Sequence, residues 1–396
     1  MLTVLAGGRA IDPLSGLDEV ADVVCEGDRI VDIGPDAGAN AKQRSTGGEP
    51  ASVIDCSGQI VTPGLIDMHC HVMVGLGDFC VDADRVGVEM GVPTLVDGGT
   101  SGVATFDLAR TAVIDNPKTQ TEVLSFIDPN QLYLATKDFI CHKLEIANDV
   151  RNIDRESLAE SMERNGDVVV GLKVRACSAS DPDTSPFLAA AQDASGGRPV
   201  MVHLGRFPHT PTIPTPRLLE ALRPGDIITH AFRGAGGMLD EHGRAIPEFV
   251  DAIDRGVRLD VGHSGTDFRF REARRLFDLG YFPDTISTDL NIFNITGPVY
   301  SLTETMTKIL ALGVPLVDVI AMCTSNTAAS IQRTLTHGAL AIGRRADVSV
   351  LALSGEPLDV SDGHETVSVD ESFVPIGCMA AGVWHEAGHP RQERAA

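Results

Sequence analysis

Met68-His69-Cys70-His71 closes an apolar run that begins at Gln59. Side chains alternate faces along a strand with a period of two, so His69 and His71 share one face while Met68 and Cys70 take the other. Two imidazoles side by side at the end of a buried strand supply half of a metal site. Later apolar runs also end in groups that coordinate cations or move protons. Residues 167–174 carry Lys173 inside an otherwise apolar stretch, residues 198–203 end in His203, residues 225–230 end in His230, and residues 284–289 end in Asp289. Each has an ordinary explanation when taken alone: a hydrogen-bonded core histidine, a lysine reaching for water, an aspartate capping a helix. Together they offer four imidazoles, one amine and one carboxylate, the types of donor that hold divalent cations.

Something must bring these groups to one place. Between residues 59 and 337, strand-like runs recur at 65–71, 94–97, 123–127, 168–174, 200–204, 227–230, 257–262 and 285–289. Helical segments at 155–165, 215–222, 247–255 and 270–279 lie between them. Eight strands alternating with helices predict an α/β fold, a (β/α)8 TIM barrel whose functional groups sit at the C-terminal strand ends. An open doubly wound sheet is the alternative, but no Gly-rich phosphate fingerprint follows the first strand. Residues 1–58 and 338–396 instead show short strands broken by turns. The expected organisation is therefore a barrel over 59–337, inserted into a small β-sandwich built from 1–58 plus 338–396.

The bulk properties narrow the partners. At 396 residues the chain is too long for one ordinary core unless that core is a large α/β barrel. A net charge of −23 repels phosphate backbones and anionic membranes, so no nucleic acid and no membrane partner is expected. Aromatics at 5% also argue against base-stacking platforms. The eight cysteines form no Cys-x-x-Cys pair and read as reduced thiols, which points to the cytoplasm. The N-terminus lacks the basic start and long apolar stretch of a signal peptide. No apolar run reaches the roughly 18 residues of a membrane span.

His-x-His on the first strand, lysine on the fourth, histidines on the fifth and sixth and aspartate on the eighth resembles the ligand order of the amidohydrolase superfamily. The resemblance covers nearly the whole chain. It includes residues 61–67 (Val-Thr-Pro-Gly-Leu-Ile-Asp) before His69, and residues 338–347 at the return into the terminal domain. Gly171-Leu172-Lys173 and Thr229-His230-Ala231-Phe232 look like the dihydroorotase-related deacetylase branch. A cationic lysine among metal ligands would repel the metals. The resemblance implies that Lys173 is N6-carboxylated to a carbamate that bridges two cations. His69 and His71 would hold the first and His203 and His230 the second, with Asp289 on the first. Zn²⁺ suits these donors; Mn²⁺, Fe²⁺ and Co²⁺ stay open. The implied reaction is deacetylase-like hydrolysis of an amide or ester by metal-bridged hydroxide, with Asp289 as general acid and base. A cyclic amidase of the dihydroorotase or hydantoinase kind and a lactonase are the alternatives. A non-catalytic scaffold is disfavoured by the full ligand set. Homo-oligomerisation is expected by analogy.

Arg175, Arg206 and Arg233 follow the ligand candidates by two or three residues. Arginine grips carboxylates with a planar fork, so an anionic small-molecule substrate is expected; pairing with loop acids is the competing explanation. His263 closes the seventh run and is a candidate substrate contact, and Thr100 and Asn130 are candidates for the pocket wall. The histidines at 142, 209, 242, 337, 364, 385 and 389 sit in polar or terminal contexts and are read as non-ligands.

Overall fold

The computed structural model describes residues 1–44, 51–132, 149–175, 183–204, 213–234 and 236–391. The chain opens with β1 (Leu2–Asp12), β2 (Leu17–Glu26) and β3 (Arg29–Gly34), an antiparallel meander. Two short strands, β4 (Ser52–Asp55) and β5 (Ile60–Pro63), then pair parallel to β1.

The barrel begins immediately after β5. Its strands are β6 (Ile66–Cys70), β7 (Thr94–Gly102), β8 (Glu122–Asp128), β9 (Val169–Arg175), β10 (Val200–His203), β11 (Ile227–Thr229) and β12 (Arg258–Leu259). They pair in sequence order, every neighbour parallel. The expected eighth stave is present as two isolated parallel bridges, Thr285 to Asp260 and Leu290 to Cys70, which close the ring between β12 and β6. It is no regular strand because the backbone leaves the extended region at Asp289, where φ is +55°. β6 is buried along its whole length, as strands covered on both faces must be. Ile66, Met68, Val96, Leu124, Phe126, Val170, Met201 and Ile227 pack with Ala328 and Ile331 into one buried cluster.

Helices cover the outside. Phe270–Asp278 buries Phe270, Ala273 and Leu276 at helical spacing. Several helices start on side-chain caps: Asp154 accepts from the Ser157 N–H at 3.1 Å, Ser185 from Leu188 at 3.2 Å and Ser301 from Glu304 at 3.1 Å. None of the described helices is long and apolar enough to cross a membrane.

The chain then returns to the first sheet with β13 (Val348–Ser354), β14 (Leu358–Ser361), β15 (Thr366–Val369), β16 (Ser372–Ala380) and β17 (Val383–Glu386). The resulting eight-stranded mixed sheet runs β17-β16-β13-β5-β1-β2-β3, with β4 on β1, while β14 and β15 form a separate hairpin. The pairing of β5 with β13, Ile60 opposite Leu351, joins the two chain ends. At the start of β8, Glu122 contacts His337 Nε2 at 2.7 Å and Arg345 Nη1 at 2.5 Å, and Arg345 Nε reaches Asp347 at 3.1 Å. Glu122, His337 and Asp347 are a cation-binding combination by type. Arg345 stands between the two carboxylates and offsets their charge.

Candidate metal centre

The end of β6 and the closing stave bring His69, His71 and Asp289 together. One ligand atom from each lies within 4.8 Å of the others. His71 Nε2 is 3.0 Å and His69 Nε2 3.6 Å from Asp289 Oδ1. Lys173, buried on β9, places Nζ 2.8 Å from His69 Nε2. The His230 ring lies 5.2 Å from that of His69 and 4.3 Å from that of His203, between centroids. All six residues therefore surround one small volume at the C-terminal mouth of the barrel.

Hydrogen bonds behind the rings decide which nitrogen faces that volume. His69 Nδ1 is 2.9 Å from Thr229 Oγ1, and Thr229 donates its only hydroxyl proton to Asp260 at 2.7 Å. The threonine oxygen must therefore accept from His69 Nδ1–H, which leaves Nε2 as a lone pair. Asp260 also accepts from Thr285 at 2.8 Å and Ser287 at 2.6 Å, so three hydroxyls hold this anchor in place. The second imidazole repeats the device: His71 Nδ1 is 2.8 Å from Thr100 Oγ1, and Thr100 donates to Asp97 at 2.8 Å. His230 Nδ1 faces the Gly262 carbonyl at 2.5 Å and so carries its proton there. Outer partners of this kind hold coordinating histidines in one tautomer and one orientation.

The charges are arranged to match. Burial, reinforced by the Lys173 charge, pushes the His69 imidazole well below its ordinary range; burial and His230 do the same to His203. Such a shift favours the neutral, coordinating form of both rings. Burial, then Arg175, pulls the Lys173 amine down to about 7. Burial alone would raise the Asp289 carboxyl, but His71, His230 and Lys173 outweigh it and hold it below the usual carboxylate range. Two buried atoms aimed into the volume, His230 Nε2 and Asp289 Oδ1, have no hydrogen-bond partner among the described residues. An orphaned imidazole lone pair and an orphaned carboxylate oxygen beside neutral imidazoles fit a divalent cation.

No family model matches the chain. A deacetylase of Brucella anthropi is 31% identical over 376 residues, covering 92% of this chain and 90% of that protein. The chain belongs to the amidohydrolase superfamily. A deacetylase of Agrobacterium fabrum is 32% identical over 321 residues, with 80% of this chain and 76% of that protein covered. The crystal structure of a dihydroorotase superimposes with a TM-score of 0.84 at 26% identity, over 98% of this chain and 99% of that one.

In this amidohydrolase, the residues expected to touch substrate are less gathered than the ligand candidates. Arg175 pairs with Asp128 at 3.0 Å. Arg233 donates to the Leu204 carbonyl and faces Asp267 at 3.3 Å. Both nonetheless lie close enough to His203 to lower its pKa. Arg206 lies outside the described residues, as do His142 and His209. His263 is fully buried; its Nδ1 accepts from the Gly265 N–H at 3.1 Å and its Nε2 is 2.9 Å from Lys308 Nζ. Thr100 is likewise buried and braces His71 instead of standing free in a pocket wall.

The bracing roles of Thr229, Asp260 and Asp97 have no signal in the sequence, because polar residues within barrel strands carry no local mark of their partners. Gly98 and Gly99 have one. A Cβ at Gly98 would sit 2.4 Å from His69 Cδ2, and one at Gly99 (φ +77°) 2.5 Å from Lys173 Cβ. The glycine pair in Asp97-Gly98-Gly99-Thr100 is the available signal, a close backbone approach inside a strand pattern. His230 and Asp289 both adopt left-handed backbone, φ +63° and +55°. Such strain costs on the order of 1–3 kcal/mol per residue and concentrates at functional sites.

Proposed function

We propose that this amidohydrolase cleaves an amide or ester of a small, carboxylate-bearing substrate, as a deacetylase would, with two divalent cations at the barrel mouth. The observation that carries this reading is the convergence of His69, His71 and His203 on His230 Nε2 and Asp289 Oδ1, both orphaned among the described residues. His69, His71, Lys173, His203, His230 and Asp289 would hold the cations, and Zn²⁺ matches such donors. Bound there, the cations would supply Lewis acidity, polarising an acyl carbonyl and making water acidic enough to attack near neutral pH.

The chain's own groups do the rest. An amine brought down to about 7 is substantially neutral at physiological pH, and only a neutral amine adds to carbon dioxide. The neutral amine would form an N–C bond to carbon dioxide at Lys173 Nζ as one C–O π bond opens onto oxygen and one proton leaves, so that a group whose protonated form repels cations becomes an oxygen anion suited to metal binding. Asp289 takes the proton of the attacking water and delivers it to the leaving group. Thr229 and Thr100 keep His69 and His71 in the tautomer that presents Nε2. Arg175, Arg206 and Arg233 would anchor the substrate carboxylate, with the two described cations already flanking His203.

The dihydroorotase likeness favours a second reading, ring opening of a cyclic amide at the same centre. One experiment separates the two. Purified protein is assayed for bound metal, then for acetate release from N-acetyl and O-acetyl carboxylates against opening of dihydropyrimidine and hydantoin rings. Bound divalent metal with acetate release is expected. Dominant ring opening would select the second reading. Protein that neither binds metal nor turns over any of these after reconstitution would refute both.

A further inference from the structure

The backbone of Asp289 is gripped at both ends. Its N–H donates to the His69 carbonyl at 2.5 Å. Its carbonyl accepts two side-chain amides, Asn291 Nδ2 at 2.8 Å and Asn294 Nδ2 at 2.8 Å. Both lone pairs of that oxygen are thereby used. Asn294 does more: Nδ2 also donates to the Ser264 carbonyl at 3.0 Å, and Oδ1 accepts from the Asn291 N–H at 2.9 Å. The Asn291 Oδ1 in turn accepts from the Phe293 N–H at 2.9 Å. Asn294 and Asn291 are both buried. The knot ties the loop after Asp289 to the loop that carries His263 and Ser264.

Asp289 has a reason to need such a grip. Its φ of +55° is unfavourable for a residue with a Cβ, and relaxing it would swing the carboxylate away from His71. We infer that Asn294, supported by Asn291, is a positioning residue for Asp289. Its amide locks the left-handed backbone that turns the carboxylate into the site. The inference rests on the reading of Asp289 as metal ligand and proton carrier. Its own content is that the carboxylate is aimed through its backbone carbonyl, by residues that never touch a cation or a substrate.

The test compares Asn294→Ala, Asp289→Asn and the double variant, measuring Zn²⁺ affinity by chelator competition, kcat and KM separately, and the melting temperature of the metal-free protein. Asn294→Ala should weaken Zn²⁺ binding and lower kcat by about 10–100-fold with KM unchanged, the size seen for outer partners of metal ligands. In the Asp289→Asn background it should cost nothing further in Zn²⁺ affinity. An equal loss of affinity in both backgrounds would mean that Asn294 merely supports the loop, and would overturn the inference. Asn294→Ala at parental affinity and kcat, with Asp289→Asn impaired, would also overturn it while leaving the role of Asp289 intact. Asp289→Asn at parental affinity and kcat would instead remove the underlying reading and the inference together. Should Asn294→Ala not fold, Asn291→Ala removes one of the two donors and is read by the same comparisons.

Discussion

Lys173 Nζ lies 2.8 Å from His69 Nε2, a nitrogen left bare because Nδ1 donates to Thr229. The amine is thus the only proton donor at that contact, and it points at an atom shaped to bind a cation. Lys173→Ala should lose more activity than the roughly 10–100-fold typical of outer partners, and should lose bound metal with it. Acetate or propionate should restore part of both, by placing a carboxylate in the space vacated by the side chain. Metal content and turnover, with and without the added acid, check this. Full activity in Lys173→Ala would end the case for a lysine-derived ligand.

The two His–Thr–Asp relays predict a matched pair of variants. Thr229→Val and Thr100→Val keep shape but break the link to Asp260 and to Asp97. Each frees an imidazole to change tautomer or rotate, so metal affinity should fall about 10–100-fold. Each also strands a buried donor, costing about 1–3 kcal/mol of stability. Chelator competition and thermal unfolding read the two effects separately. Affinity unchanged in both variants would show that the rings need no bracing.

Much of this site is visible in the sequence because its chemistry sits at strand ends. His69 and His71 are marked by the apolar run before them, Lys173 by its apolar neighbours, and His203, His230 and Asp289 by closing runs that read as strands. The helix expected at 270–279 is found at Phe270–Asp278, its buried face set by helical spacing. The bracing residues were illegible for a physical reason. Thr229 is 160 positions from His69, and Asp97 reaches His71 only through Thr100. A hydroxyl or carboxylate within a strand does not declare a distant partner. Arg175 shows the converse limit: its position beside Lys173 was legible, but its pairing with Asp128 on β8 was not. The irregular eighth stave escaped for a similar reason. Nothing in Thr288-Asp289-Leu290 announces positive φ at an aspartate, which depends on the asparagines that follow.

Gly98 offers a steric test of the ring position. Its absent Cβ would lie 2.4 Å from His69 Cδ2 and 2.9 Å from Nε2, while φ there poses no obstacle. Gly98→Ala should therefore push His69 out of place without straining the local backbone. Overpacking of this kind costs about 1–3 kcal/mol. The expected signature is a large fall in kcat and Zn²⁺ affinity from a protein that remains folded. Native kcat in Gly98→Ala would show that His69 has room to move without consequence.

Far from the mouth, Glu122 predicts an acid transition. Burial would raise its carboxyl, but His337 and Arg345 outweigh burial and hold it down from an ordinary 4.5 to about 2. A depressed carboxylate contributes stability that is complete above its unfolded value and drains away as pH falls through the folded one. The window is therefore from about 4.5 down to about 2. The contribution at neutral pH is on the order of 3 kcal/mol. Glu122→Gln should lower the melting temperature at neutral pH, because it leaves His337 and Arg345 without their shared anion. It should also flatten the pH dependence within the window, since the titrating group is gone. Thermal unfolding of both proteins across that range decides the matter: parallel curves would place the acid sensitivity in other carboxylates and leave Glu122 a passive member of the seam between barrel and sheet.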